Sequence, residues 1–226
     1  MSDNVARNLK RWDKDHAWPE HGDEWSRQAT ACGIDYPTWK ESLVAHLIVP
    51  HVNANTHVLE IAPGHGRWTA YLAPRAGNAT VVDLSPSCIA YCKERFATAT
   101  NINYFVTDGT SLPPNATDAI DFVWSFDAFV HMDRDVIAAY LKEIARVLKP
   151  GGMAIVHHSN VADMETHAQA KAEGWRAPMT ADLFTYLARD AGLNVASQFV
   201  YWDEQNKIGV PRLGDRITRL VLPPSP

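Results

Sequence analysis

The sequence predicts an α/β protein built on a doubly wound, mostly parallel sheet. Three observations carry this. Short apolar or β-branched runs alternate with stretches of helical apolar spacing through most of the chain. One run passes through a glycine pair directly into a helix, in Val58-Leu59-Glu60-Ile61-Ala62-Pro63-Gly64-His65-Gly66-Arg67-Trp68. The run Ile120 to Phe126 is almost continuously apolar, as a central strand covered on both faces must be. At 226 residues the chain suits a single domain.

Residues 1 to 37 carry Trp12, Trp18 and Trp25 without a sustained helical or strand period, so they read either as an irregular arm or as a lid whose rings close over a ligand. The main domain then runs from 38 to 226. Thr38-x-x-Glu41 has the form of a capping box for a helix carrying Leu43, Leu47 and Ile48. The glycine-pair segment follows, with Gly64 and Gly66 leaving room for a ligand against the backbone. Ala79 to Asp83 is the second strand, and Ser85-Pro86 caps a helix with Ile89, Cys92 and Phe96 inward.

Ile102 to Gly109 is the third strand. Pro113-Pro114 makes Thr110 to Thr117 a loop. Ile120 to Phe126, the fourth strand, leads into Asp127-Ala128-Phe129-Val130-His131-Met132. Val136, Ile137, Tyr140, Leu141, Ile144, Val147 and Leu148 form a helical stripe that Lys149-Pro150-Gly151-Gly152 stops. Met153 to Asn160 is the fifth strand, and Val161 to Pro178 a loop long enough to be functional. Thr180 caps a last helix with Leu183, Phe184 and Leu187, and strand-like runs at Val195 to Trp202 and Arg216 to Leu222 bring the count to seven. Pro223 to Pro226 reads as a disordered tail.

A glycine-rich strand-to-helix turn suits either a nicotinamide dinucleotide or S-adenosylmethionine. Glu60 at the strand end would repel a pyrophosphate and attract a cationic amino-acid moiety. Glu60 to Gly66 resembles motif I of the class I S-adenosylmethionine-dependent methyltransferases, with Ala62 where the first glycine usually stands, and Arg146-Val147-Leu148-Lys149-Pro150-Gly151-Gly152 resembles another mark of that family. The resemblance implies a Rossmann-like seven-stranded sheet with one antiparallel strand and helices on both faces. It also implies a cofactor site of Glu60, Ala62, Gly64, Gly66, Arg67, Trp68, Asp83, Leu84, Asp108, Gly109, Ser125 and Phe126. Asp83 would take the ribose diol, Asp108 the adenine amino group and Glu60 the methionine ammonium group.

Methyl transfer to a hydroxyl needs a base, and histidine titrates in the right range. His131 is the first candidate, oriented by Asp127 one helical turn earlier. His158 is the next, with His157 and His65 behind it. Asp127 and His158 together also suggest a Mg2+ ligand pair at adjacent strand ends.

Glu60 to Trp68, Ser125-Phe126-Asp127 and His157-His158-Ser159-Asn160 resemble bacterial glycan O-methyltransferases, which implies a saccharide acceptor, with mannose-containing chains among those the family caps. Another small secondary metabolite is the alternative. A nicotinamide oxidoreductase, or a cofactor-binding module without catalysis, is more distant. The net charge of -5 and the absence of a basic run argue against nucleic acid. Cys32, Cys88 and Cys92 have no metal spacing, and the odd number does not suit a disulfide framework. No stretch has the length and apolarity of a membrane span, and Met1 to His16 is polar, so the expected location is cytoplasmic. A homodimer is the oligomer considered.

Overall fold

The computed structural model describes residues 1–23, 26–162 and 176–224. Trp25, most of the Val161 to Pro178 loop and the last two tail residues therefore lie outside the described residues. Nine strands are described: β1 (His57–Ile61), β2 (Asn78–Asp83), β3 (Ile102–Val106), β4 (Ile120–Ser125), β5 (Leu148–His158), β6 (Asn194–Phe199), β7 (Tyr201–Asp203), β8 (Ile208–Gly209) and β9 (Arg216–Val221). Seven form one sheet in the order β3-β2-β1-β4-β5-β9-β6. β1 to β5 run parallel, and β9 is antiparallel to both β5 and β6. Chain order reverses between β1 and β4, which opens a crevice at their carboxyl ends.

Two apolar layers cover the sheet. On one face α6 (Arg134–Val147) and α7 (Ala181–Asp190) bury Ile137, Leu141, Ile144, Phe184 and Ala188 against Leu59, Val123 and Val156. Asp133 caps α6, its carboxylate accepting from the amide of Val136 at 3.0 Å. On the other face α3 (Tyr36–Leu43), with the π-helical turn Val44–Ile48 after it, and α4 (Thr69–Leu72) bury Trp39, Leu43, Leu47 and Leu72 against Val58, Phe122 and Trp124. α5 (Pro86–Arg95) begins at Ser85, whose hydroxyl accepts from the amide of Cys88 at 3.1 Å.

Four expectations need correction. Residues 1 to 37 contain α1 (Asp3–Lys10), a π-helical turn (Arg11–Asp15), a 3-10 turn (Glu20–Gly22) and α2 (Ser26–Ala31). α1 lacks a wide apolar stripe because it buries little beyond Val5, so it owes its place to docking rather than to its own pattern. The cap of α3 is Asp35, which accepts from both the amide and the hydroxyl of Thr38, at 2.9 and 2.7 Å. The fifth strand starts earlier, at Leu148 paired with Ile120. The run Val195 to Trp202 splits at Val200, and β7 leaves the main sheet to pair with β8. Beneath that hairpin the indole of Trp39 donates to the carbonyl of Gly209 at 2.8 Å.

The turn after β1 holds Ala62 at φ 58°, in the left-handed region where a β-carbon is strained. Ala62→Gly should therefore stabilise the ligand-free protein by about 0.5 to 1 kcal/mol, after allowing for the larger chain entropy of glycine. In a calorimetric melt that is a rise of roughly 2 °C for a chain of this size. A Tm at or below the parental value would show that the methyl group packs well enough to outweigh the strain.

Candidate active site

The amide of Ala62 donates to Val82 at 2.8 Å and that of Gly66 to Pro63 at 3.0 Å, so the turn is fastened to β2 and to itself. A β-carbon on Gly64 would sit 2.5 Å from Cη2 of Trp18, and one on Gly66 would sit 2.6 Å from Cε2 of Phe96. Both positions require glycine because aromatic rings press on the turn from two sides. Gly64 faces the crevice; Gly66 faces α5 and Phe96.

Two carboxylates stand at the adjoining strand ends. Glu60 is buried and accepts from the hydroxyl of Thr69 at 2.5 Å, while its Oε1 has no hydrogen-bond partner. Burial pushes its pKa up to about 7, against the Thr69 bond and the Arg67 charge. Asp83 accepts from the amide of Ser85 at 2.8 Å and from that of Gly64 at 3.3 Å. Burial raises it to about 6, with those amides working the other way. The set fits S-adenosylmethionine: the orphaned oxygen of Glu60 suits an ammonium donor, and Asp83 lines the crevice with carboxylate oxygens able to accept from ribose hydroxyls.

Asp108 departs from expectation. It is exposed, and its Oδ1 accepts from the amides and hydroxyls of Thr110 and Ser111, at 2.8 to 3.0 Å, which forms a turn behind the crevice. Its neighbour Gly109 lines the crevice instead, with Leu84. Ser125 donates to the carbonyl of Ile61 at 3.0 Å, tying β4 to β1.

The opposite side of the crevice is built after β4. Phe126, Asp127, His131, Met132, Val136 and Tyr140 line it together with Arg67 and Trp68 from the glycine turn. Asp127 takes φ 66°, which turns its carboxylate back toward the sheet. There Oδ2 meets Nη2 of Arg67 at 2.6 Å and Oδ1 meets Nδ1 of His157 at 3.0 Å. His157 Nε2 lies 3.3 Å from Asp215, which receives Arg176 at 2.7 Å. Burial raises the Asp127 pKa less than Arg67 and His157 lower it, so it stays ionised. His157 loses some basicity to burial but gains more from Asp127 and Asp215, and its pKa is raised.

The expected pairing of Asp127 with His131 is therefore not formed, because Asp127 is committed to Arg67 and His157. His131 ends the 3-10 turn Phe129–His131, is buried, and lines the crevice with its ring 4.9 Å from that of Trp12. His158 needs a second correction. Strand alternation sends it to the other face, where it stacks on Phe184 at 3.8 Å and bonds the Thr218 hydroxyl at 2.8 Å. Burial depresses it to about 3. The proposed Asp127 and His158 metal pair is thus split across the sheet, and no group of three His, Cys, Asp or Glu among the described residues could hold a metal ion.

The crevice encloses about 950 Å3 of space, part of it open to solvent. Asn4, Val5, Asn8, Leu9, Trp12 and Trp18 of the N-terminal segment lie over it. Of the lining, Tyr140 reads in the sequence only as part of a core stripe and Met132 only as the end of the run after β4, while Asn4 and Asn8 show there only their spacing of one helical turn.

A parallel sheet with this order, one antiparallel strand and a glycine turn between two strand-end carboxylates define the class I S-adenosylmethionine-dependent methyltransferases. Residues 58–152 match the profile of a methyltransferase domain. It is 31% identical over 157 residues to methyltransferase GfsG of Streptomyces halstedii, covering 64% of this chain and 55% of that protein. It is 27% identical over 198 residues to the 2-methyl-6-phytyl-1,4-hydroquinone methyltransferase of a Synechocystis strain, covering 80% and 58%. The chain spans about half the length of the curated relatives it matches.

Among solved structures, the N-methyltransferase NodS of Bradyrhizobium japonicum with S-adenosyl-L-homocysteine matches at TM-score 0.67 and 16% identity, over 98% of this chain and all of that one (100%). The [4+2]-cyclase SpnF matches at TM-score 0.66 and 16% identity, over 98% and 94%. These likenesses concern the fold. No described helix is long and apolar enough to cross a membrane.

The raised carboxyls predict proton-linked binding. Stability from a carboxyl with a raised folded pKa is present below its unfolded value and lost as pH rises through the folded value, here through about 6 for Asp83 and about 7 for Glu60. A ligand that pairs with the ionised forms reverses this loss. The Tm increase given by S-adenosylhomocysteine should grow from about pH 5.5 to about pH 8, with proton release on binding in that window. A Tm increase independent of pH would remove Glu60 and Asp83 from the ligand's contacts.

Proposed function

We propose that the protein transfers the sulfonium methyl group of S-adenosylmethionine to a hydroxyl of a small acceptor, with His131 as general base. The observation that carries this reading is that one crevice joins the glycine turn and Asp83 to a buried histidine on the opposite wall. Bound there, S-adenosylmethionine supplies an electrophilic methyl whose leaving thioether is neutral. Asp83 and Glu60 hold the ribose and ammonium ends, and the arm excludes water. The His131 ring would take the proton that the acceptor hydroxyl gives up as it receives the methyl group. Asp127 remains an anion held by Arg67 and does not take part in proton transfer.

The acceptor reading is a saccharide, supported by the indoles of Trp12 and Trp18 in the crevice lining, since apolar sugar faces pack on aromatic rings. A planar hydroxylated ring is the second reading, favoured by the apolar wall of Leu9, Met132 and Val136 and by the hydroquinone named for one relative. Methylation assays across sugars, phenols and hydroquinones separate them.

At saturating acceptor His131→Ala should lower turnover by roughly 10² to 10⁴, whereas His158→Ala should leave cofactor affinity near the parental value. Asp83→Ala should weaken S-adenosylhomocysteine binding by about 1.5 to 3 kcal/mol in calorimetry. Parental turnover in His131→Ala would remove the base assignment.

A further inference from the structure

The N-terminal arm does more than lie across the crevice. The side-chain amide of Asn4 donates to the main-chain carbonyl of His131 at 3.2 Å, and that of Asn8 donates to the same oxygen at 3.1 Å. Asn8 also donates to the Asn4 carbonyl at 3.1 Å, so the two amides act as one unit. This carbonyl ends the Phe129–His131 turn, and α6 begins only at Arg134. One oxygen with two lone pairs is filled by two donors from a segment more than a hundred residues away.

The rest of α1 and the turn after it could dock without those amides. Val5 is buried, with Cγ1 2.9 Å from where a β-carbon on Gly109 would stand. Trp12 lies on the His131 ring at 4.9 Å. Asp13 is an independent anchor, accepting from the hydroxyl of Ser85 at 2.7 Å and the amide of Ser87 at 3.0 Å. Trp18 stacks on His65 at 4.8 Å, and His65 on Tyr91 at 3.7 Å. Apolar contact sets how firmly a helix sits, while paired hydrogen bonds set direction. The Asn4 and Asn8 amides are directed at the turn that aims the proposed base.

We propose that Asn4 and Asn8 are positioning residues for His131: their two amides, rather than the general seating of the arm, fix the turn that carries the base. This rests on the His131 reading given above. It assigns the arm a part in the chemical step in addition to covering the ligand.

The test compares the protein with N4L/N8L, which keeps the branched outline of both side chains and removes both donors. Turnover at saturating acceptor should fall about tenfold or more, because a misaimed base loses its alignment, while S-adenosylhomocysteine affinity stays within about twofold of the parent. N4L/N8Q, which returns one amide donor, should recover part of the loss. Asp13→Ala, which loosens the arm without touching His131, should weaken cofactor binding and leave turnover at saturation largely intact. The ring resonance of His131, assigned by its loss in His131→Ala, should shift in N4L/N8L and not in Asp13→Ala.

Parental turnover together with an unmoved resonance in N4L/N8L would overturn the proposal, as would equal losses of turnover in N4L/N8L and Asp13→Ala. A moved resonance in N4L/N8L alongside parental turnover in His131→Ala would keep the positioning and overturn the base assignment instead.

Discussion

The structure turns on a buried line of charge that runs Arg67, Asp127, His157, Asp215, Arg176. Its members come from the glycine turn, the end of β4, the end of β5, the approach to β9 and the residue at which the described chain resumes after 162. Each is almost fully buried, so each needs its neighbour; removing one from such an arrangement leaves an uncompensated charge that costs about 3 to 5 kcal/mol. Gln28 of α2 adds a bond to Asp215 at 3.4 Å, which ties the N-terminal segment to the same line. The stabilisation is bounded on both sides. Asp127, with a lowered pKa, contributes above the ordinary carboxylate range and loses its share as acid protonates it. His157, with a raised pKa, contributes below the ordinary histidine value and loses its share as pH rises.

That line also decides what the crevice can do. By taking the Asp127 carboxylate into the sheet it leaves His131 as the histidine that lines the crevice among the described residues. By holding Arg67 it fixes the helical side of the glycine turn against β4. Two other carboxyls behave in the opposite way: Asp83, on the crevice wall, and Glu60, buried at the end of β1 behind the lining, are both pushed toward the neutral form by burial. One side of the site is electrostatically complete within the protein, and the other is prepared for a cationic, hydroxyl-bearing ligand.

The arm partly covers this crevice, and does so through rings. Tyr91, His65, Trp18, Trp12 and His131 form a chain of ring contacts from α5 across the glycine turn to the opposite side of the crevice. Burial in this stack, with the charges of His16, Arg95 and His21 nearby, depresses His65 to about 4, so its ring is neutral at physiological pH. A neutral ring stacks on indole without having to shed a charged hydration shell.

The sequence by itself determined the parallel strands, the glycine turn, the caps at Ser85 and Thr180 and the acids at the strand ends, because each is written in a few adjacent residues by periodicity or turn chemistry. The tertiary structure alone decided which strand-end groups share the crevice. Asp108 was legible as a strand-end acid, yet its exposure and its Asx-type turn with Thr110 and Ser111 come from the loop it starts. Asp127 and His131, four apart, looked like a dyad, but the positive φ at Asp127 and the pull of Arg67 and His157 separate them. His157 and His158 differ only by alternation along β5, and burial partners on the two faces give them opposite pKa shifts. Asn4 and Asn8 find their acceptor more than a hundred residues away. Local pattern encodes elements; a hydrogen bond or ion pair between distant segments depends on how those elements pack, and no spacing in the chain records it.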